Sequence, residues 1–244
     1  MTSQEMFPEL YTLKFYIKQS IQAFANNPKI ELFQDLIGDY NKWKSKGYEK
    51  LFENPKPWMA SAAVRFFEKI KDKKGKVFEY GSGASTVFMA ERFGEITSVE
   101  HEESWQKILK GELETHKISN VEYIFKGPEP ISNQKERNPA NPEDYCSIFE
   151  GYNPFTFKAY ASEIDRFPDQ YFDIIIVDGR VRPSCMKHSW PKLKKGGYLV
   201  LDNSDRPHYK KMHNEISGQA ESKVVFFGPV AQNPNFQETT FWKK

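Results

Sequence analysis

Short apolar runs that alternate with amphipathic stretches of helical length predict an α/β fold, in which helices cover both faces of a largely parallel sheet. Five of the runs have the length and composition of buried strands, and they span residues 76–80, 96–100, 121–125, 173–178 and 198–202. Helix-length stretches lie between them at residues 85–92, 104–116 and 184–193. Ligands of such sheets bind outside the carboxyl ends of the strands, so we expect the functional site at that edge.

The last part of the chain predicts a change of strand direction. A helix near residues 207–216 leads to two final strands, at 223–227 and 239–242, joined by a connection that contains Gly and Pro. This connection is too short for a helical crossover and suits an antiparallel hairpin. The complete expectation is a doubly wound, Rossmann-like sheet of seven strands with mixed directions.

Residues 1–55 precede this pattern and predict a small helical appendage. Apolar side chains recur there at spacings of three and four residues, and Pro28 interrupts the series. The series consists of Leu10, Leu13, Ile17, Ile21 and Phe24. A Pro-Lys-Pro sequence then marks the start of the main domain, which we expect at residues 56–244. Inside it, residues 127–170 are rich in Pro, Asn and Glu and predict a long insertion.

Composition narrows the function classes. The 244 residues carry a net charge of +2, which provides no general attraction to nucleic acid, and no apolar run approaches the roughly 20 residues of a membrane span. Cys146 and Cys185 lack metal-site spacing and are too few for a disulfide scaffold. Because the start also lacks a signal-peptide pattern, we expect a cytoplasmic protein without nucleic-acid or membrane partners. Aromatic residues make up 15% of the chain, which predicts large core side chains or an aromatic-lined pocket.

The strongest local signal is VFEYGSGAST at residues 77–86, where a strand, an acid, two glycines and a helix start follow one another. Gly81 and Gly83 allow a ligand to approach the backbone closely, and the helix start offers N–H groups without intrahelical partners. A dinucleotide fingerprint would have a third glycine where Thr86 stands. Glu79 also argues against a dinucleotide, because its carboxylate would repel a pyrophosphate but attract an ammonium or sulfonium centre.

A second acid stands at the end of the second predicted strand. Glu100 follows Gly81 by about 20 residues, where a carboxylate can hold both hydroxyls of a ribose. Two tryptophans, Trp58 and Trp105, occur near these motifs, and we interpret both as packing residues first, with a platform for an adenine ring as the alternative.

The series EYGSG, VEH, FDIIIVDGR and LKKGGYLVLDN resembles the core of the class I S-adenosylmethionine-dependent methyltransferases over residues 58–244. The motifs PWM, VDGRVR and LDNSDRP are also similar to those of a little-characterised bacterial branch of these enzymes. The resemblance implies that the glycine loop holds the methionine end of S-adenosylmethionine and that the second acid holds its ribose. It assigns cofactor binding to Glu79, Gly81, Ser82, Gly83, Ser85, Thr86, Glu100, His101 and Asp178.

The resemblance also places the transferred methyl group beside the carboxyl end of the fourth strand. This nominates Asp178 and Arg180 as catalytic residues, the acid as a base or as an orienting group for a hydroxyl. Arg180 and Arg182 are candidates to hold an anionic acceptor through forked hydrogen bonds. Residues 180–211 have an excess of basic side chains, which predicts a basic rim for such an acceptor or a solvated helix face.

A metal is the remaining question about the site. Asp178, Asp202 and Asn203 resemble the set that binds a divalent ion in catechol-type O-methyltransferases, and oxygen ligands of this kind suit Mg²⁺. The chain departs from that family after the fourth strand, where DGRVR brings arginines that would compete with a cation.

These observations predict an S-adenosylmethionine-dependent methyltransferase that modifies oxygen on a small-molecule or carbohydrate-type acceptor, with nitrogen as the second choice. Two alternatives come from other classes. One is a non-catalytic S-adenosylmethionine-binding or scaffold protein, and the other, disfavoured by Glu79 and Thr86, is a nicotinamide-dependent oxidoreductase. The motifs predict neither the identity of the acceptor nor the oligomeric state.

Overall fold

The computed structural model describes residues 12–26, 30–43, 51–131, 136–231 and 233–244. The helices are α1 (Leu13–Asn26), α2 (Ile30–Trp43), α3 (Ser61–Lys69), α4 (Ala84–Ala90), α5 (Glu103–Thr115), α6 (Lys158–Ala161), α7 (Arg182–Lys192) and α8 (Lys210–Ser217). The strands are β1 (Lys76–Tyr80), β2 (Glu95–Glu100), β3 (Val121–Phe125), β4 (Glu129–Pro130), β5 (Phe155–Thr156), β6 (Phe172–Val177), β7 (Leu193–Asp202), β8 (Ser222–Gly228) and β9 (Gln237–Lys243). Across these ranges, no helix combines the length and the apolar character that a bilayer crossing requires.

Seven strands form one mixed sheet in the order β3-β2-β1-β6-β7-β9-β8. Neighbouring strands from β3 to β7 are parallel, whereas β9 is antiparallel to both β7 and β8. This confirms the predicted seven-stranded α/β sheet and its terminal hairpin. The strand order reverses direction between β1 and β6, and such a reversal leaves a crevice at the carboxyl ends of the strands.

Both faces of the sheet are covered, because side chains of successive strand residues point to opposite sides. Phe78 and Tyr80 of β1 belong to one core, which also contains Trp190 of α7. Val77 of the same strand belongs to the other core, where Phe67 of α3 packs. Much of the aromatic excess is therefore structural.

The N-terminal helices pack by a different face from the one that the sequence predicts. Leu13, Ile17 and Ile21 of the predicted apolar stripe are exposed, whereas Tyr16 is buried in a cluster that includes Trp43 of α2. The aromatic rings decide the orientation, because the Tyr16 hydroxyl donates to a backbone carbonyl of α2 at 2.6 Å and the Trp43 indole donates to the β8–β9 connection at 2.7 Å. Leu10 and Pro28 lie outside the described residues. The division of the chain at residue 55 stays a prediction.

The insertion after β3 packs onto the body of the sheet. It contains the short antiparallel pair β4–β5 and the helix α6, and its rings Phe157 and Tyr160 are fully buried. The Tyr145 hydroxyl lies 3.0 Å from Nε2 of His188 on α7, and Nδ1 of the same imidazole lies 2.7 Å from Oδ2 of Asp165. These contacts attach the insertion to α7 beside the carboxyl edge of the sheet.

Candidate functional site

A cleft of about 320 Å³ opens at the carboxyl ends of β1, β2 and β6. Most of the residues that the sequence nominates line this cleft. They are Gly81, Ser82, Gly83, Ser85, Glu100, His101, Asp178 and Arg180. The two others, Glu79 and Thr86, are fully buried behind the glycine loop and do not line it. The fold thus groups these residues, while their contacts to a ligand stay a prediction.

Gly81 forms the turn at the end of β1 and cannot be replaced without strain. Its φ of +89° lies in the left-handed region, which side chains with a Cβ rarely adopt. A Cβ at this position would lie 2.8 Å from both N and Cα of Gly179, in the backbone that follows β6. The backbone after β1 therefore packs directly against the backbone after β6 at this point.

The loop that follows uses its own N–H groups. The Ser82 N–H donates to Glu100 Oε2 at 2.9 Å, and the Gly83 N–H donates to the Thr86 hydroxyl at 3.0 Å. These two N–H groups are therefore satisfied within the protein, whereas the predicted N–H groups without intrahelical partners belong to the helix start at Ala84 and stay a prediction. Because the N–H groups of Ser82 and Gly83 are not free to bind a pyrophosphate, the loop is less suited to a dinucleotide.

Glu79 lies behind the glycine loop and accepts hydrogen bonds from nearby hydroxyl groups. Its Oε2 accepts hydrogen bonds from Thr86 at 2.5 Å and from Ser98 at 2.6 Å. Burial raises the pKa of Glu79 to about 7, against the opposing effect of hydroxyl donors that include Ser85. Glu79 is 0% exposed and does not line the cleft, so it has no direct contact with the cleft space, and its predicted attraction for a cationic ligand stays a prediction.

Glu100 is the acid that does reach the cleft. Its Oε1 accepts the N–H groups of His101 at 2.8 Å and of Glu102 at 2.9 Å, while Oε2 accepts the N–H of Ser82. Burial raises the pKa of Glu100, but His101 and the backbone donors outweigh it, so that the net shift is downward. The cleft floor therefore carries an ionised carboxylate at neutral pH.

Arg180 borders the cleft on the β6 side. Its Nε donates to Nε2 of His101 at 3.3 Å, and the Nδ1 of that imidazole lies 2.7 Å from Glu100 Oε1. The guanidinium also lies over the ring of Phe149, 4.2 Å from its centroid. Carboxylate, imidazole and guanidinium thus form a continuous polar wall.

Two tryptophans line the cleft as well, although sequence reasoning assigned both to packing. The Trp105 indole donates to the carbonyl of Ser82 at 2.6 Å, and the indole of Trp58 donates to the carbonyl of Ala231. Lys56 is a further lining residue that the sequence did not suggest. Trp58 and Lys56 lie before β1 in the chain, so only the tertiary fold brings them to the site.

No protein-family model and no curated protein matches the chain. Solved structures do match it. An O-methyltransferase from Bacillus cereus in complex with S-adenosylhomocysteine has a TM-score of 0.52 at 12% identity, covering 98% of this chain and 94% of the other. The O-methyltransferase TomG from Streptomyces achromogenes, involved in tomaymycin synthesis and solved with S-adenosylmethionine, has a TM-score of 0.51 at 13% identity over 100% of both chains. An rRNA methylase from Streptococcus thermophilus has a TM-score of 0.51 at 14% identity, covering 75% of this chain and 94% of the other.

The chain has the class I methyltransferase fold. In this methyltransferase fold, arginine side chains contact the three residues that resemble a metal-binding set, Asp178, Asp202 and Asn203. Arg182 donates to Asp178 Oδ1 at 2.9 Å and to the carbonyl of Asp202, and its Nη1 lies 4.0 Å from Asp202 Oδ2. Asn203 is held in turn by Arg206, whose Nη2 lies 2.6 Å from Asn203 Oδ1. A cationic side chain stands where a divalent ion would bind, so these residues do not fit a metal.

The described part of the methyltransferase fold contains no cluster of three or more His, Cys, Asp or Glu residues suited to a metal ion. Burial raises the pKa of Asp202 to about 8, with the nearby Asp178 adding to the effect and Arg182 opposing it. Burial also raises the pKa of Asp178 against the opposing charges of Arg182 and Arg206. The guanidinium of Arg182 therefore lies close to both Asp178 and Asp202, and ionising both of these carboxyl groups together is unfavourable.

The basic stretch at residues 180–211 contains nine Lys and Arg side chains, which differ in whether a carboxylate neutralises them. Four of its cations form ion pairs, with Asp178, Glu143, Asp169 and Asp173 as the respective partners of Arg182, Lys187, Lys192 and Lys194. Among the described residues, Arg180 and Arg206 have no carboxylate partner. The predicted role of Arg182 in holding a substrate anion is wrong, because its charge is already neutralised inside the protein.

Proposed function

We propose that this chain is an S-adenosylmethionine-dependent methyltransferase that transfers the methyl group to oxygen on a small acceptor. The observation that carries the proposal is the position of the Glu100 carboxylate beside the Gly81–Gly83 loop, in one cleft at the strand-order reversal of a methyltransferase fold. The fold neighbours solved with this cofactor or its product support the proposal.

The cleft residues suit the parts of this cofactor. The ionised Glu100 would accept hydrogen bonds from the two ribose hydroxyls, and the indoles of Trp58 and Trp105 supply apolar faces for the adenine ring. The methionine portion would lie in the cleft along the backbone of Gly81, Ser82 and Gly83. When bound, the cofactor supplies a sulfonium methyl group for in-line displacement by the acceptor.

Asp178 and Arg180 are the catalytic residues of this proposal. Asp178 lines the cleft with a side chain that is 22% exposed, and Arg182 fixes the orientation of its carboxyl group. Because burial raises the pKa of Asp178, it is a stronger base than an ordinary aspartate and can accept the proton of an acceptor hydroxyl. Arg180 stands beside it, between the cleft and the insertion, where it would orient the acceptor.

The alternative of a nicotinamide-dependent oxidoreductase is disfavoured by the loop itself, whose Ser82 and Gly83 N–H groups are satisfied internally. A non-catalytic cofactor-binding protein would have the same cleft and is distinguished by turnover alone. The acceptor of this proposal is a small molecule or a carbohydrate-type compound, and the compartment is the cytoplasm.

Isothermal titration of the full chain with S-adenosylmethionine and, separately, with NADH tests the cofactor. We expect binding of the first and none of the second. Glu100→Gln should weaken S-adenosylmethionine binding by about 10- to 100-fold, since hydrogen bonds to a charged group contribute about 1.5–3 kcal/mol. Glu95→Gln is the matched control, because Glu95 stands on the same strand at the opposite edge of the sheet and pairs with Lys76.

Failure of S-adenosylmethionine to bind at millimolar concentration would disprove the proposal. Turnover is then measured by incubating metabolite and glycan pools with methyl-labelled cofactor and following the label by mass spectrometry. Label in an acceptor supports the enzyme, whereas binding without label transfer favours the non-catalytic alternative.

A further inference from the structure

A second cavity adjoins the proposed cofactor cleft. Its volume is about 100 Å³. The two cavities share Gly179, Arg180 and Arg182 as lining residues, so they meet at the carboxyl end of β6. A group bound in the smaller cavity would thus lie next to the proposed site of methyl transfer.

The charges around this second cavity are of one sign. Arg180, Arg182 and Arg206 line it together with His208, and none of the lining residues in the described part of the chain is acidic. Arg182 is neutralised by Asp178, which leaves two guanidiniums facing the cavity without a carboxylate partner in the described structure. Unpaired guanidiniums that line one cavity are suited to forked hydrogen bonding of an oxyanion.

Each of the two arginines is held by groups other than a carboxylate. Arg206 donates to Asn203 Oδ1 at 2.6 Å and contacts the Tyr209 hydroxyl at 3.4 Å. Arg180 donates to an imidazole nitrogen of His101 and lies over the Phe149 ring. These contacts orient the guanidiniums without a direct carboxylate contact.

The same arginines act on His208, which also lines the cavity. Burial lowers the pKa of His208, and the charges of Arg206 and Arg182 lower it further. The part of this shift that comes from the arginines agrees with the positive charge of the cavity wall.

The insertion contributes a further part of the wall, and this part is mainly apolar. Ile148 and Phe149 line the cavity and are each 46% exposed, while Ser147 adds a hydroxyl. These side chains would contact the uncharged body of a ligand whose anionic end lies between the arginines. The insertion therefore contributes to recognition of the acceptor.

We propose that this second cavity binds a carboxylate or phosphate group of the methyl acceptor between Arg180 and Arg206. The acceptor is then an anionic small molecule, and its anionic group anchors it with the reactive oxygen beside Asp178. This inference rests on the proposed function, because the cavity is an acceptor site only if the adjoining cleft binds the methyl donor.

Titration of the full chain with inorganic phosphate and with benzoate, in the presence and absence of S-adenosylhomocysteine, tests the proposal. Benzamide serves as the uncharged analogue of benzoate. We expect at least one anion to bind and benzamide not to bind. A preference for phosphate indicates a phosphate ester as the acceptor, and a preference for benzoate indicates a carboxylate.

Arg180→Gln and Arg206→Gln should each weaken anion binding by about 10- to 100-fold, the range for hydrogen bonds to a charged partner. Lys211→Gln removes an equal charge from an exposed position on α8 outside the cavity, and it should leave the affinity within about twofold. Circular dichroism checks that each variant is folded. If Arg206→Gln does not fold, Arg206→Lys keeps the charge but loses the fork, and we expect it to weaken binding as well.

The proposal is overturned if neither anion binds, if benzamide binds as well as benzoate, or if Lys211→Gln costs as much affinity as the arginine variants. S-adenosylmethionine binding is measured on the same samples. If the cofactor binds and the anions do not, the anion site is wrong while the proposed function stands. If the cofactor does not bind, the proposed function fails, and any anion binding then loses its assignment to a methyl acceptor.

Discussion

Replacement of Gly81 by alanine tests the geometry of the cleft floor most directly. The new Cβ would meet backbone atoms only, at 2.8 Å from N and Cα of Gly179 and at 3.0 Å from the carbonyl carbon of Asp178. Backbone cannot move aside as the end of a flexible side chain can. The ends of β1 and β6 would therefore have to separate.

Two energetic contributions add in Gly81→Ala. A φ of +89° is unfavourable for a residue with a Cβ, and left-handed conformations cost about 1–2 kcal/mol. Overpacking of a tight contact costs typically about 1–3 kcal/mol. The sum is about 3 kcal/mol, and for a chain of this size about 1 kcal/mol lowers Tm by 2–4 °C, so we expect Tm to fall by about 6–12 °C.

Gly83→Ala is the matched control in the same loop. The φ of Gly83 is 176°, which is ordinary extended backbone, and its nearest neighbours would lie 3.9 Å from a Cβ. Thermal unfolding followed by circular dichroism should therefore show a large loss for Gly81→Ala and a small change for Gly83→Ala. Equal melting temperatures for the two variants would refute the steric reasoning.

The remaining predictions concern titration, ion pairing, cofactor contact and metal. Glu79→Gln should be more stable than the wild type at pH 8 and similar to it at pH 5. The pKa of Glu79 is about 7 in the folded state and 4.5 in the unfolded state, so the stability of the wild type falls by about 3 kcal/mol as the pH rises from 4.5 to 7. A difference in Tm between the two proteins that stays constant across pH would contradict this. Arg182→Met should lose about 3 kcal/mol in urea unfolding, since it leaves the buried Asp202 carboxyl and the partly exposed Asp178 carboxyl without their guanidinium partner, and a loss below about 1 kcal/mol would show that the pair is not stabilising. Trp105→Phe should remove most of the change in tryptophan fluorescence on addition of S-adenosylmethionine, and an unchanged signal would place the ligand away from this indole. Excess EDTA should leave methyl transfer unchanged, and restoration of a lost activity by Mg²⁺ would show that the arginine does not replace a metal.

Local patterns in the sequence were sufficient for the sheet. Each strand is an apolar run bounded by turn residues, and β1 and β3 begin and end at the predicted residues. The largest difference between a predicted and an observed strand is at β7, which is predicted at 198–202 but begins at Leu193. The added residues contain Gly196, with a φ of +82°, and the pairing of β7 with β6 shifts register between Phe172 and Ile174. Burial of one strand face or the other depends on alternation alone, and alternation is visible in the chain.

The N-terminal helices show where local patterns fail. The apolar series at Leu13, Ile17 and Ile21 has helical spacing, and the helix forms, but the buried face is that of Tyr16. Tyr16 packs against Phe236, which lies near the other end of the chain. A helical period predicts a helix, whereas the choice of the buried face depends on partners that are distant in sequence.

The sequence by itself determined the seven-stranded sheet, the glycine turn and the acids at the strand ends, because each depends on neighbours within a few residues. The tertiary structure alone decided how each charged group is used. Glu79 lies in β1 and Glu100 ends the neighbouring strand β2. Glu79 is buried behind the loop with a raised pKa, whereas Glu100 lines the cleft with a lowered pKa. Arg182 and Arg206 likewise line the same cavity, yet Arg182 is neutralised by Asp178 whereas Arg206 contacts Asn203. Desolvation and ion pairing depend on the groups that surround a charge in space, and those groups come from distant parts of the chain.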